Sequence, residues 1–336
     1  MKAVVCESPG ELRLVDRPMP KAGPGEVLLR VRRIGLCGTD MHIFRGTQPY
    51  LDYPRVMGHE LSGEVVTAPD DSGLRAGDQV YVMPYLSCGH CVACRKGKTN
   101  CCTHLQVLGV HRDGGMAEYL PLPAQFVFRT GGISLDDAAM LEFLAIGAHA
   151  VRRGDVKPGQ NVLVAGAGPI GIAVALFAGL QGATVSVLDT REDRLAFCRK
   201  ALGIERTVTV GEHDKAALAA ITGGEFFDAV FDATGNVRAM ERGLEFVAHG
   251  GSYVLVSIVR DRISFDDPEF HKRETTLLGS RNATAADFQA VLAAMQAGRV
   301  PTALMNTHRA TLAGFVDVLP RWMDPAAGVI KAIVEV

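Results

Sequence analysis

The most explicit chemistry in the sequence sits on four cysteines. Cys88, Cys91 and Cys94 follow one another with two residues between neighbours, and Cys102 comes one loop later. Four thiolates so spaced can surround one tetrahedral zinc. With every position filled by protein, such a metal is structural and staples a loop that lacks an apolar core. Cys101 and His90 compete for the same places on paper. A second set of ligand types is scattered: Cys37, Thr39, Asp40 and His42 in CGTDMH, His59 and Glu60 in GHE, and Glu142 far downstream. Each fragment alone has a bland reading as a core cysteine or a solvated turn. Together a thiolate, an imidazole and a carboxylate make a mixed set with room for an exchangeable oxygen, which a catalytic zinc needs.

A third constellation lies in VLVAGAGPIGIAVALFAGLQGATVSVLD, residues 162–189. It reads as a strand, a glycine turn, a helix, and a second strand ending in an acid. Gly166, Gly168 and Gly171 fit the dinucleotide pattern. The first allows the tight turn, the second admits a pyrophosphate to the backbone, and the third lets helix and strand pack closely. Pro169 and Ile170 open the helix, whose free N–H groups and dipole favour the diphosphate. Asp189 is placed to accept from both ribose hydroxyls of NAD. Arg191 offers a route to a 2′-phosphate, which Asp189 would repel, so NAD is favoured over NADP.

The elements that must position these groups can be read coarsely. Residues 1 to about 145 are mostly β, with short strands at 27–31, in GHELSGEVV and in GDQVYVMP. Later strands at 229–232 and 252–256 end in Ala-Thr-Gly235 and Ser257-Ile258, at the sheet edge where ligands gather. Thr284 caps a helix with Asp287 three residues on. Phe288, Val291, Leu292 and Met295 form its apolar stripe before Gly298. VIKAIVEV at the end is a strand that completes the first domain. A chain of 336 residues holds two ordinary domains, and a net charge of -2 argues against nucleic acid or an anionic membrane as the partner. Residues 158–188 carry no charge and are long enough to span a bilayer, but six glycines break them up. The N-terminal apolar run is too short for a signal peptide, and eight cysteines then indicate metal ligands in a reducing cytoplasm.

The order CGTDMH, GHE, CGHCVACRKGKTNCC, GAGPIG and Asp189 resembles the zinc-dependent medium-chain alcohol and polyol dehydrogenases, over essentially the whole chain. The resemblance implies a GroES-like β-barrel catalytic domain, residues 1–147 and 286–336, with a structural zinc lobe near 85–105. A Rossmann domain with a doubly wound parallel sheet, residues 148–285, interrupts it. It implies two zinc ions per chain and NAD, a homodimer or homotetramer, and a cytoplasmic enzyme. Cys37, His59 and Glu142 would ligate the catalytic zinc, with Glu60 alternating with water. Cys102 fits the family pattern for the structural zinc, which leaves His90 a solvated loop residue. Thr39 and His42 would relay the proton, and Asp40 would orient His59. Arg194 would stack on the adenine, Ser257 and Ile258 would flank the nicotinamide, and Ser280 and Arg281 would meet the cofactor.

A glutamate at 142, where the alcohol dehydrogenase branch has a second cysteine, resembles the polyol, threonine and sugar-acid branches. Segments YPRVMGHE, VLGVHRDGGMAEYL, GAHAVRRG and DPEFHKRETTLLGSRNAT are similar to dehydrogenases that oxidise the C5 hydroxyl of L-galactonate or L-gulonate. A sugar acid needs a cation. Arg45, Arg112 and Arg281 are the candidates, with His111 placed to bond a hydroxyl. The expected activity is transfer of hydride from a secondary hydroxyl of such an acid to NAD. The alternatives are a polyol or L-threonine dehydrogenase and, in another class, a nucleotide-binding protein without catalysis.

Overall fold

The computed structural model describes all 336 residues. They divide into two compact units, Met1–Glu142 with Thr284–Val336, and Phe143–Ala283. The first division falls at Glu142, five residues before the expected position, with only Leu141 and Glu142 of the helix Leu141–Arg153 in the first unit.

The first unit is built on a seven-stranded sheet. Its order is Val127–Arg129, Gln79–Val82, Glu60–Thr67, Glu26–Gly35, Lys331–Glu335, Asn306–Thr311, and Tyr119–Pro123 also pairs with Glu26–Gly35. Val27, Leu29, Val31, Ile34, Leu61, Val80, Val82, Leu122 and Ile333 are buried along it and supply its core. The C-terminal strand lies antiparallel to Arg33–Gly35 and parallel to Asn306–Thr311, so the end of the chain is woven into the middle of the sheet. A second sheet of three strands, in the order Glu11–Asp16, Lys2–Ser8, Arg55–Val56, accompanies it. Short helices the strand pattern does not announce interrupt this β unit, among them Gly38–Phe44, directly after the longest strand. The helix Ala285–Gln296 starts as expected, with a capping box between Thr284 and Asp287. Its Phe288 stacks on Tyr81 at 5.9 Å between ring centroids.

The second unit is a six-stranded, wholly parallel sheet. In chain order its strands are Asn161–Ala165, Thr184–Asp189, Thr207–Thr209, Phe227–Asp232, Val247–Leu255 and Thr276–Gly279. Their spatial order is third, second, first, fourth, fifth, sixth. That is the doubly wound dinucleotide-binding order, with its switch point between the first and fourth strands. The uncharged stretch is two of these strands and the helix Pro169–Leu180, whose residues from Gly171 to Ala178 are all buried. No helix in the chain is long and apolar enough to cross a membrane.

Three glycines make the first turn for different reasons. Gly166 has φ +93°, and a Cβ on it would meet the Ala233 backbone at 2.9 Å. On Gly171 a Cβ would lie 1.7 Å from the Gly166 carbonyl oxygen. Gly168 begins the helix at φ -72° with nothing within 4 Å of its would-be Cβ. Gly171→Ala is therefore expected to cost at least about 1–3 kcal/mol through forced backbone displacement, and Gly168→Ala much less. Denaturant melts of the two variants measure the contrast.

Candidate functional site

The cysteine lobe gathers as its spacing suggests. The sulfurs of Cys88, Cys91, Cys94 and Cys102 all lie within 4.8 Å of one another. Cys102 Sγ accepts from the backbone N–H groups of Cys88 and His104, each at 3.3 Å. Backbone N–H groups of Cys94 and Thr103 lower the Cys91 thiol to about 5, favouring the thiolate. Cys101 is exposed, and His90 Nδ1 sits 2.8 Å from the Cys88 carbonyl oxygen, so neither joins the cluster.

The second centre lies within the first unit. Cys37 caps the helix Gly38–Phe44, and His59 and Glu60 stand at the start of the strand Glu60–Thr67. Ligand atoms of Cys37, His59 and Glu60 lie within 4.8 Å of one another. Glu60 belongs to the converging group. The Oε1 of Glu142 instead accepts a short hydrogen bond from the Tyr85 hydroxyl, and both of these side chains are buried. The reason is local: Glu60 follows His59 directly and shares its loop, whereas Glu142 arrives on a separate helix and is held by its own partner.

Two buried side chains bind the loops together. Asp40 Oδ2 accepts from Cys37 N–H at 3.0 Å and Oδ1 from Gly58 N–H at 3.1 Å. Asp40 thus ties the residue before His59 to the Cys37 loop through backbone N–H groups. Lys331 Nζ donates to Glu60 Oε1 at 2.5 Å and to the Leu36 carbonyl at 3.0 Å, while Lys331 is 1% exposed. Room for the Glu60 carboxylate depends on Gly35, because a Cβ there would lie 2.1 Å from Glu60 Oε2.

The electrostatics suit a cation. Burial lifts Glu60 to about 7 against the pull of Lys331, with Glu142 adding to the rise. Burial opposes protonation of His59, yet Cys37, Asp40 and Glu142 together push it well above the ordinary imidazole range. His59 Nδ1 and Glu142 Oε2 are buried without hydrogen-bond partners, whereas Glu60 Oε2 lies 2.5 Å from the Lys331 ammonium. Orphaned buried donors and acceptors are costly. An imidazole nitrogen, a carboxylate and a thiol at one place fit a divalent zinc, which would satisfy them and offset their charge.

Thr39 and His42 stand three apart on the helix Gly38–Phe44 and share a face. His42 Nδ1 lies 2.9 Å from Thr47 Oγ1. Arg45 caps the same helix and is exposed. The segment bearing His111 and Arg112 is laid against the chain just before His59. Gly114 N–H donates to Val56 O at 2.7 Å and Gly115 N–H to Gly58 O at 2.9 Å. A Cβ on Gly114 would approach the Gly58 oxygen to 2.2 Å, so only glycine allows this contact. His111 Nδ1 accepts from Val107 N–H at 3.1 Å, which puts the ring proton on Nε2. Tyr50 stacks on that ring at 6.2 Å.

In the second unit Asp189 Oδ2 accepts from Ala167 N–H at 2.6 Å and Oδ1 from Arg191 N–H at 2.8 Å. Arg191 itself pairs with Asp193. Arg194 is half-buried, and burial lowers its pKa. Ser257 Oγ donates to Asp232 Oδ1 at 2.9 Å and accepts from Gly235 N–H at 2.9 Å, with Ile258 78% exposed beside it. Ser280 N–H bonds Leu255 O at 2.9 Å, and Arg281 is exposed.

Tyr85, Lys331 and Asp232 are absent from the sequence reading. Lys331 had a signal: a charge set between apolar neighbours in VIKAIVEV must find a partner if it is buried. Tyr85, in MPYLSC, carries none.

Residues 23–132 match the alcohol dehydrogenase GroES-like domain family, and residues 169–297 the zinc-binding dehydrogenase family. L-galactonate-5-dehydrogenase of Escherichia coli K12 is 41% identical over 335 residues, covering 99% of this chain and 98% of that protein. D-altritol 5-dehydrogenase of Agrobacterium fabrum is 34% identical, with complete coverage of both. A solved alcohol dehydrogenase of E. coli CFT073, complexed with NADH, superposes with a TM-score of 0.93 at 28% identity, covering 100% of this chain and 99% of that one.

Lys331→Met leaves Glu60 buried without its counter-charge, so the variant is expected to lose about 3–5 kcal/mol of stability. Adding Glu60→Gln should restore part of the loss, which paired denaturant melts measure.

Proposed function

The chain belongs to the zinc-binding alcohol dehydrogenases with a GroES-like domain, oxidoreductases that act on CH–OH groups, and from that premise we propose that it oxidises a secondary hydroxyl of a sugar acid with NAD. The observation that carries the reading is the convergence of Cys37, His59 and Glu60, with buried polar atoms that lack protein partners. A zinc ion held there would ease ionisation of a substrate hydroxyl while a bound nicotinamide accepts hydride from its carbon.

The remaining work falls to this chain's side chains. Cys37, His59 and Glu60 would hold the ion, and Glu142, whose Oε2 is free of hydrogen bonds, would be a further ligand. Thr39 and His42 pass the hydroxyl proton toward solvent, a role suited to an exposed imidazole. Asp40 fixes the loop geometry on which the ligand distances depend. Gly168 and the helix N-terminus at Pro169 receive the diphosphate, and Asp189 receives the ribose. The Asp189 carboxylate disfavours a 2′-phosphate, and Arg191 is already engaged by Asp193, so NAD fits better than NADP. Arg194, Ser257, Ile258, Ser280 and Arg281 complete the cofactor site. Cys88, Cys91, Cys94 and Cys102 hold a second, structural zinc.

The substrate class rests on the similarity to L-galactonate-5-dehydrogenase and on Arg45 and Arg112 as partners for a carboxylate. The runner-up is an uncharged polyol, favoured by the similarity to D-altritol 5-dehydrogenase. Incubation with a chelator is expected to abolish NADH formation, and added zinc to restore it. Glu142→Ala should remove activity while the chain stays folded. Activity that survives both treatments would overturn the metal-assisted reading. On a panel of aldonates, polyols and L-threonine at equal concentration, kcat/KM should be highest for an aldonate. A higher value for a polyol would defeat the carboxylate assignment.

A further inference from the structure

Tyr85 has an unusual position. It lies on a two-residue strand, Tyr85–Leu86, that pairs with Gln106–Val107 and closes the neck of the cysteine lobe. The side chain is 3% exposed, and its ring packs edge-on against Phe288 at 6.2 Å. Its hydroxyl reaches Glu142 Oε1, fifty-seven residues away in sequence. Glu142 is likewise 3% exposed, and Oε2, its other oxygen, has no hydrogen-bond partner. A Cβ on Gly35 would lie 2.1 Å from Glu60 Oε2 and 2.8 Å from the Ala139 carbonyl oxygen, so the turn that leads into Glu142 passes beside the Glu60 carboxylate.

A carboxylate with two open oxygens can swing, or grip an ion through both. One oxygen held by a buried phenol removes that freedom. We propose that Tyr85 is a positioning residue that pins Glu142 through Oε1, so that only Oε2 is presented to the Cys37, His59 and Glu60 centre. The inference rests on the metal-binding reading above. Removing such outer partners of metal-site carboxylates commonly costs about 10–100-fold in metal affinity or activity.

Tyr85→Phe keeps the ring against Phe288 and deletes only the hydroxyl. Stripped protein is reloaded with cobalt(II), and the metal constant of the mixed-donor site is read by chelator competition. The visible spectrum is recorded alongside, the four-thiolate site cancelling in the difference from wild type. The variant is expected to weaken binding at this site about 10-fold or more, shift the cobalt spectrum, and lower kcat with little change in KM for NAD. The gap in melting temperature between loaded and stripped protein should narrow, a readout a purely structural hydroxyl would not move. In a Glu142→Ala background the same substitution should change the metal constant by less than about two-fold. An unchanged spectrum and metal constant in Tyr85→Phe would overturn the proposal, as would an equal effect with and without Glu142. A wild-type protein that takes up cobalt only at the four cysteines would instead overturn the metal-binding reading, and the proposal with it.

Discussion

A buried ammonium tolerates few arrangements, and Lys331 holds the first unit to one of them. Taking a lysine out of water costs several kcal/mol unless an opposite charge and further hydrogen bonds meet it. Glu60 supplies the charge and Leu36 the carbonyl. Both lie nearly three hundred residues earlier, so the end of the chain must return to the sheet it left. The strand Lys331–Glu335 pairs with Arg33–Gly35 in the register that delivers the ammonium to that spot. Gly35, on the partner strand, leaves the space the Glu60 carboxylate fills. The division of this unit into two sequence segments is thus the route by which one charge reaches its partner.

Asp40 closes the same junction from the other side. An acid accepts from Cys37 and Gly58, while a base donates to Leu36 and Glu60. The loop bearing the thiol and the loop bearing the imidazole are therefore tied twice, by opposite charges, at Cys37 and Glu60 themselves and at their neighbours Leu36 and Gly58. Metal centres need donors fixed to fractions of an ångström. Two loops pinned only at their strand ends could not supply that.

How much was legible in the sequence follows from how far apart the cooperating residues lie. The cysteine lobe, the glycine turn with its acid, and the Thr284–Asp287 cap are each written within a few tens of residues, and each formed as read. The relation between Glu60 and Glu142 was not local. Both are carboxylates near the same centre, and spacing cannot say which shares the loop geometry of His59 and which is held by a phenol from another strand. Asp40 was legible as a residue serving His59 but not in its manner, because a carboxylate in a CGTD turn can bond a ring or a backbone equally well. Tyr85 was invisible as a site residue and Lys331 legible only as a charge needing a partner, since their roles exist only once distant strands pair.

The second unit shows the same division between local and distant information in a different way. Asp189 closes its own neighbourhood by accepting from Ala167 and Arg191 N–H groups, so the acid shapes the turn that a dinucleotide would enter. A carboxylate has about four acceptor positions, and these two backbone bonds occupy only half of them. The remaining lone pairs are oriented by the bonds already made, so under the proposed assignment the group would meet ribose hydroxyls without rearrangement. Preorganisation of this kind lowers the entropy cost of binding. The acid that sequence reading assigns to the ligand is therefore also a structural residue, and its two roles depend on the same geometry.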